Sequence, residues 1–175
     1  MRNIPTVTRS LLIINIVMFI VTELLAPMGI DLTSILGLHF FKASDFHLYQ
    51  LITYMFMHGG FMHILMNMFM LWMFGMVIEN VWGPKKFLFY YIICGVGAGL
   101  CQELAQYASY MVQHLADYQT VNNGGDIIPM AQYLNLMTTV GASGAIYAIL
   151  LAFGMLFPDE RMFIIPIPIP IKAKW

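Results

Sequence analysis

Long apolar runs divide this chain, and polar clusters interrupt two of them. The first run extends from about Ser10 to Ala26 and is stopped by Pro27. The second extends from about Phe61 to Ile78 and closes at Glu79, the third from about Lys86 to Ala105, and the fourth from about Thr139 to Phe157, before Pro158. A membrane-crossing helix needs roughly 17 to 25 mainly apolar residues. The pattern predicts an all-α, polytopic membrane helix bundle with about four spans. A cleavable signal peptide is the rival reading of the first run, but Ala26-Pro27-Met28 is a poor small-residue cleavage site. After Pro158, alternating prolines in Met162–Pro170 rule out a regular helix. That stretch reads as an apolar segment at the membrane interface, and Trp175 suits the mouth of a fifth span.

Two connections are long. Pro27 to Tyr49 is mixed and partly amphipathic. Gln106 to Met137 is polar, has room for a short helix, and carries an Asn122-Asn123-Gly124-Gly125-Asp126 turn. In the third run, Gly95-Val96-Gly97-Ala98-Gly99 invites close approach by another helix.

Composition and charge sharpen this picture. The chain has 175 residues, of which 60% are hydrophobic and 10% charged. Soluble domains carry about 25% charged residues, so this chain cannot cover a globule with polar surface. The net charge of −1 and the absence of basic clusters give no case for nucleic-acid binding. Cys94 and Cys101 are seven apart on one predicted helix, about two turns, too far for a disulfide. Arg2 and Arg9 precede the first span, Lys42 alone follows it, Lys85 and Lys86 separate spans two and three, and Arg161, Lys172 and Lys174 follow the fourth. The positive-inside rule then puts the N-terminus and the tail in the cytoplasm.

That orientation brings two clusters to similar depth in the outer leaflet. One is His58-Gly59-Gly60-Phe61-Met62-His63-Ile64-Leu65-Met66-Asn67; the other is Gly141-Ala142-Ser143-Gly144. Intramembrane polar groups are costly and mark functional sites by default. His63 and Asn67 are i,i+4 and share a helix face, as do Ser143 and Tyr147. Each has a bland alternative. A serine in a membrane helix usually bonds its own preceding turn; His63 and Asn67 can be interhelical glue; Tyr147 can be packing, and His58 can be solvated at a span mouth. Convergence at one depth favours a site. Glu79 reads as a cap or ion-pair partner, and His39, His47 and His114 lie in connections without an assigned role. A small transporter or channel subunit would need an ionisable group near the midplane, whereas Glu23 and Glu103 sit near span ends.

At these residues the chain resembles the rhomboid intramembrane serine proteases. The His58–Asn67 stretch is similar to that family's H-G-x-x-H-x-x-x-N signature, and Gly141-Ala142-Ser143-Gly144 to its G-x-S-G. Glu79-Asn80-Val81-Trp82-Gly83 resembles its E-x-x-x-G. The resemblance covers about Ser10 to Pro158. It implies Ser143 as nucleophile, with His63, Asn67 and the Ser143 backbone N–H as the oxyanion hole. It also implies Gly141 and Gly144 as close-approach positions, Tyr147 as the platform for the catalytic histidine, and His58 as a support of the outer connection. It implies single-span membrane proteins as substrates, cut near the outer face, with no metal or cofactor, and suits a bacterial inner membrane.

Tyr49-Gln50 stands where the family often carries Trp-Arg. The family's general base, a histidine on its sixth helix, has no counterpart here. The chain therefore reads as one rhomboid-like membrane domain over residues 1–175, C-terminally incomplete and inactive alone. Its Ser143 and glycine face would then meet lipid, and it would be prone to self-association. The rival is a non-catalytic rhomboid-like protein that binds membrane clients.

Overall fold

The computed structural model describes residues 4–163 and 170–173. The alternating-proline stretch of the sequence reading falls mostly on 164–169, and Arg2, Lys174 and Trp175 also lie outside the described residues.

Among the described residues, three helices are long and apolar enough to cross a membrane: Thr6–Met28, Phe61–Trp82 and Pro84–Val112. Helix α1 (Thr6–Leu25) ends in a 3₁₀ turn at Ala26–Met28. It buries only one narrow face, Thr8, Leu11 and Asn15. Ile13, Val17, Ile20 and Leu24 stay exposed, as lipid-facing residues of a membrane helix do.

The start of α1 poses a problem, because the first-turn N–H groups of a helix lack partners within it. Pro5, at the N-cap position, offers no side-chain acceptor. Glu79 supplies it from another helix. Its carboxylate accepts from the Val7 N–H at 2.9 Å, the Thr8 N–H at 2.7 Å and the Thr8 hydroxyl at 2.8 Å. A negative charge there also opposes the positive end of the helix dipole.

Between Thr6–Leu25 and the second span the chain folds into a compact loop. It holds α2 (Leu32–Leu36), the short strand β1 (Leu38–His39), α3 (Gln50–Thr53) and a 3₁₀ turn at Tyr54–Phe56. Asp31 caps α2 by accepting from the Thr33 and Ser34 N–H groups. Gln50, only 1% exposed, organises the rest. Its carbonyl accepts from the N–H groups of His39 (3.3 Å) and His47 (3.1 Å), and its amide donates to the carbonyls of Ile35 (3.3 Å) and Asp45 (2.9 Å). The loop's internal bonding, which an arginine commonly supplies in the resembling family, is carried here by a neutral amide.

The second span is α4 (Phe61–Met70), a π turn at Leu71–Gly75 and α5 (Met76–Trp82). A π turn inserts a residue and shifts helical phase. The N-terminal half can thus turn His63 and Asn67 toward one neighbour while the C-terminal half turns Glu79 toward α1. Helix α6 (Pro84–Val112) starts with proline at its first position, after Gly83 at φ +82°, a placement that suits both residues. The polar connection after it holds a 3₁₀ turn at Leu115–Asp117, the hairpin β2 (Thr120–Asn123) and β3 (Asp126–Pro129), α7 (Met130–Asn135) and β4 (Thr138–Thr139). Gly124 and Gly125 form the two-residue hairpin loop with φ of +67° and +112°, as an asparagine-glycine turn demands.

The last apolar helix, α8 (Ser143–Leu156), is shorter than the sequence pattern suggests. Its 14 residues rise about 21 Å, against roughly 30 Å of hydrocarbon. Thr138–Thr139 are drawn instead into antiparallel pairing with Leu38–His39, and Gly141 at φ +122° breaks the run.

The glycine face of α8 does not meet lipid, contrary to the sequence expectation. Gly144 packs directly on Ala98 of α6, a side chain at Gly144 would overlap it, and Tyr90 donates from α6 to the Ala148 carbonyl at 2.8 Å. What α8 exposes is Tyr147, Leu151 and Met155. The glycines of α6 are used differently from the expected helix-on-helix contact. Gly95 receives Met55, and Gly99 receives Leu38 and Tyr54, all from the first loop, while Gly97 faces open space.

Replacing Glu79 with alanine leaves one buried and one part-buried backbone donor and one buried hydroxyl without an acceptor. We expect a loss of about 3 kcal/mol, and Thr8→Val a loss of about 1 kcal/mol, both read as lowered thermal unfolding temperature in micelles.

Candidate functional site

One groove of about 370 Å³ opens between α4 and α8, lined by Met62, His63, Met66, Asn67, Met70, Ser143, Ile146, Tyr147 and Leu150. It brings together four of the residues singled out from sequence: His63, Asn67, Ser143 and Tyr147. Gly141 and Gly144 shape its walls without lining it.

Ser143 is the first residue of α8, and Ala142 is its N-cap. This position bears on the reading of the serine as bonded to its own preceding turn. Ser10 and Thr22 sit within α1 with a helical turn behind them and donate back to the Thr6 and Met18 carbonyls, both at 2.9 Å. Ser143 has no helical turn behind it to bond. Its backbone N–H, in the first turn of α8, is one of the groups a helix leaves unpaired.

Gly141 fixes the approach of the two helices. A Cβ at this residue would stand 2.7 Å from His63 Nε2 and 3.7 Å from Ser143 Oγ. Its φ of +122° is also one that side-chain-bearing residues rarely adopt. The Gly141 N–H donates to the Tyr54 carbonyl at 2.9 Å. The Tyr54 hydroxyl in turn donates to the Gly95 carbonyl at 2.6 Å, so one buried tyrosine joins the loop before Ser143 to α6. Nothing in the sequence pattern marked Tyr54.

The tautomer of His63 follows from its neighbours. The Gly59 N–H donates to His63 Nδ1 at 3.4 Å. A neutral ring that accepts at Nδ1 carries its proton on Nε2, which faces Gly141. His63 therefore presents a donor to the groove. Asn67, 7% exposed, donates one amide hydrogen to the His63 carbonyl at 2.8 Å and keeps a second. Tyr147 lines the groove but is 73% exposed.

His58 stands apart from the groove. It is buried, not solvated at the span mouth, and its ring lies edge-on to His63 with centroids 5.0 Å apart. Burial above all, with the neighbouring His63 ring adding to it, lowers its pKa from 6.5 to about 4, so the ring is neutral near pH 7.

The other histidines are occupied elsewhere. His39 is enclosed by the first loop and α7, His47 Nδ1 lies 3.0 Å from the Asp45 carbonyl, and His114 lies in an exposed turn near Asp117. No histidine among the described residues is hydrogen-bonded to Ser143.

The family model of the Rhomboid domain matches residues 45–173. The chain belongs to the rhomboid family. Rhomboids are intramembrane serine proteases, and the long apolar helices make this member an integral membrane protein. The match spans both polar clusters and the groove between them. No curated protein matches the chain significantly.

The His58 burial sets an acid limit. Its folded-state pKa lies below the unfolded one, so the unfolded chain binds the extra proton. Stability then falls as pH drops from 6.5 toward about 4, by on the order of 1 kcal/mol per pH unit. His58→Phe should flatten this slope in pH-dependent thermal unfolding.

Proposed function

We propose that this rhomboid is an endopeptidase of single-span membrane proteins, cutting near the outer membrane face, with Ser143 as nucleophile. The groove that joins Ser143 to His63 and Asn67 carries this reading. Ser143 Oγ would attack the peptide carbonyl carbon, and the carbonyl oxygen would take up the negative charge. The His63 Nε2–H, the free Asn67 amide hydrogen and the Ser143 backbone N–H are the donors available to that oxyanion. Each such donor is worth on the order of 3 kcal/mol. Tyr147 offers an open ring beside the serine, His58 supports the outer connection, and the glycines at 141 and 144 allow the close approach. The reaction needs no metal or cofactor. The basic-residue distribution supports a cytoplasmic N-terminus, and the cell membrane of a bacterium suits the compact chain.

The Ser143 proton needs a base, since an unactivated serine is a poor nucleophile. His63 is disqualified because its groove-facing nitrogen already carries hydrogen, and the remaining histidines are engaged or remote. The 1–175 polypeptide by itself should hydrolyse peptide bonds negligibly. This same observation favours a second reading, a rhomboid-like protein that holds membrane clients without cutting them.

A small fluorophosphonate separates the two. On the protease reading it forms a slow, single adduct at Ser143, absent in Ser143→Ala and accelerated by added imidazole. Asn67→Ala and His63→Ala should each slow it by about a hundredfold or more. An unmodified Ser143 after prolonged exposure would support the client-binding reading instead.

A further inference from the structure

His39 was assigned no role from sequence, yet it is 2% exposed and sits where two loops meet. Its Nε2 lies 2.7 Å from the Ser34 carbonyl, and its Nδ1 lies 3.0 Å from the Asn135 carbonyl and 3.2 Å from Thr138 Oγ1. Thr138 Oγ1 also stands 3.2 Å from that same Asn135 carbonyl. The backbone repeats the connection. His39 pairs with Thr138 and Leu38 with Thr139, and the Phe40 N–H donates to the Met137 carbonyl at 3.2 Å. Only Val140 separates this pairing from Gly141. The first loop is thereby fastened to the segment that delivers Ser143.

The donor count around the ring is informative. Two carbonyl oxygens only accept, so a charged imidazole satisfies both, donating from both nitrogens. A neutral ring has one N–H. It can donate from Nε2 to Ser34, but its bare Nδ1 would then face the Asn135 carbonyl, lone pair to lone pair. The Thr138 hydroxyl can still give Nδ1 a donor. It donates to Asn135 when the ring is charged, and rotates to donate into Nδ1 when the ring is neutral.

We propose that His39 is a positioning residue for the Ser143 loop, and that the Thr138 hydroxyl is the rotor that keeps His39 engaged in either protonation state. The consequence for catalysis rests on the reading of Ser143 as nucleophile; the clasp itself does not.

The charged surroundings are few. From α6, Glu103 exerts its field on the ring while its carboxylate accepts from the Phe41 N–H at 2.7 Å. On the first loop, Asp31 is turned to its helix cap, Asp45 accepts from the Ser44 hydroxyl, His47 faces the Asp45 carbonyl, and Lys42 lies over Phe41, Tyr107 and Tyr110. Helix α3, α7 and β4 carry no Asp, Glu, Lys, Arg or His.

The test is amide-exchange protection at Gly141, whose N–H donates to the Tyr54 carbonyl, in the 1–175 chain in lipid nanodiscs, at about pH 5 and about pH 8, on either side of the ordinary imidazole range. Protection factors remove the intrinsic pH dependence of exchange, and the His58 contribution is common to every chain compared. Each variant is therefore read as its ratio to wild type at the same pH. Thr138→Val, nearly isosteric, should match wild type at the acid value. There the charged ring keeps both its bonds. At the alkaline value it should lose about tenfold, the scale of one buried hydrogen bond. His39→Gln should lower protection relative to wild type by the same factor at both values. A Thr138→Val ratio to wild type that is equal at the two values, or unchanged protection in His39→Gln, would overturn the proposal. Because exchange needs no hydrolysis, a chain that fails to react at Ser143 refutes the protease reading and leaves this result standing.

Discussion

Everything at the site depends on the missing side chain of Gly141. Without it, α4 and the start of α8 come close enough for the His63 ring to share a groove with Ser143. A single methyl group there would meet the imidazole and demand a strained backbone at once. The same residue ends the apolar run and makes Ser143 the first helical position, with its hydroxyl and N–H both free of the preceding chain. The local backbone break and the chemistry of the serine are therefore one feature.

Irregular backbone inside a membrane protein survives only where its polar groups are satisfied by protein. Here single residues do this at each break. Glu79 completes the start of α1, Gln50 satisfies four backbone groups of the first loop, Tyr54 anchors Gly141, and His39 closes the first loop on the segment before α8. None of these residues lines the groove, yet together they hold its walls. The lipid-facing surfaces, by contrast, are simple apolar stripes.

The spans and the two polar clusters were legible because their signals are strong and local: membrane-length apolar runs, His63 and Asn67 at i,i+4, and a glycine-flanked serine. Convergence of the clusters followed from charge asymmetry and depth. The start of α8 was misread by several residues, since Thr138 and Thr139 look like part of an apolar run until their strand partners, a hundred positions earlier, are known. His39, Tyr54 and Gln50 were opaque for the same reason. Each acts through long-range backbone contacts that no spacing rule encodes. The lipid exposure expected for the glycine face was wrong because Ala98 of α6 occupies it.

The central claim is that His63, Asn67 and the first N–H of α8 point at the place where charge develops on a carbonyl attacked by Ser143. The most direct measurement is an experimental structure of the chain after prolonged reaction with a phosphonate. The account predicts phosphorus bonded to Ser143 Oγ and a phosphoryl oxygen about 3 Å from His63 Nε2, Asn67 Nδ2 and the Ser143 backbone nitrogen. A phosphoryl oxygen turned away from His63 and Asn67, toward lipid or solvent, would contradict it.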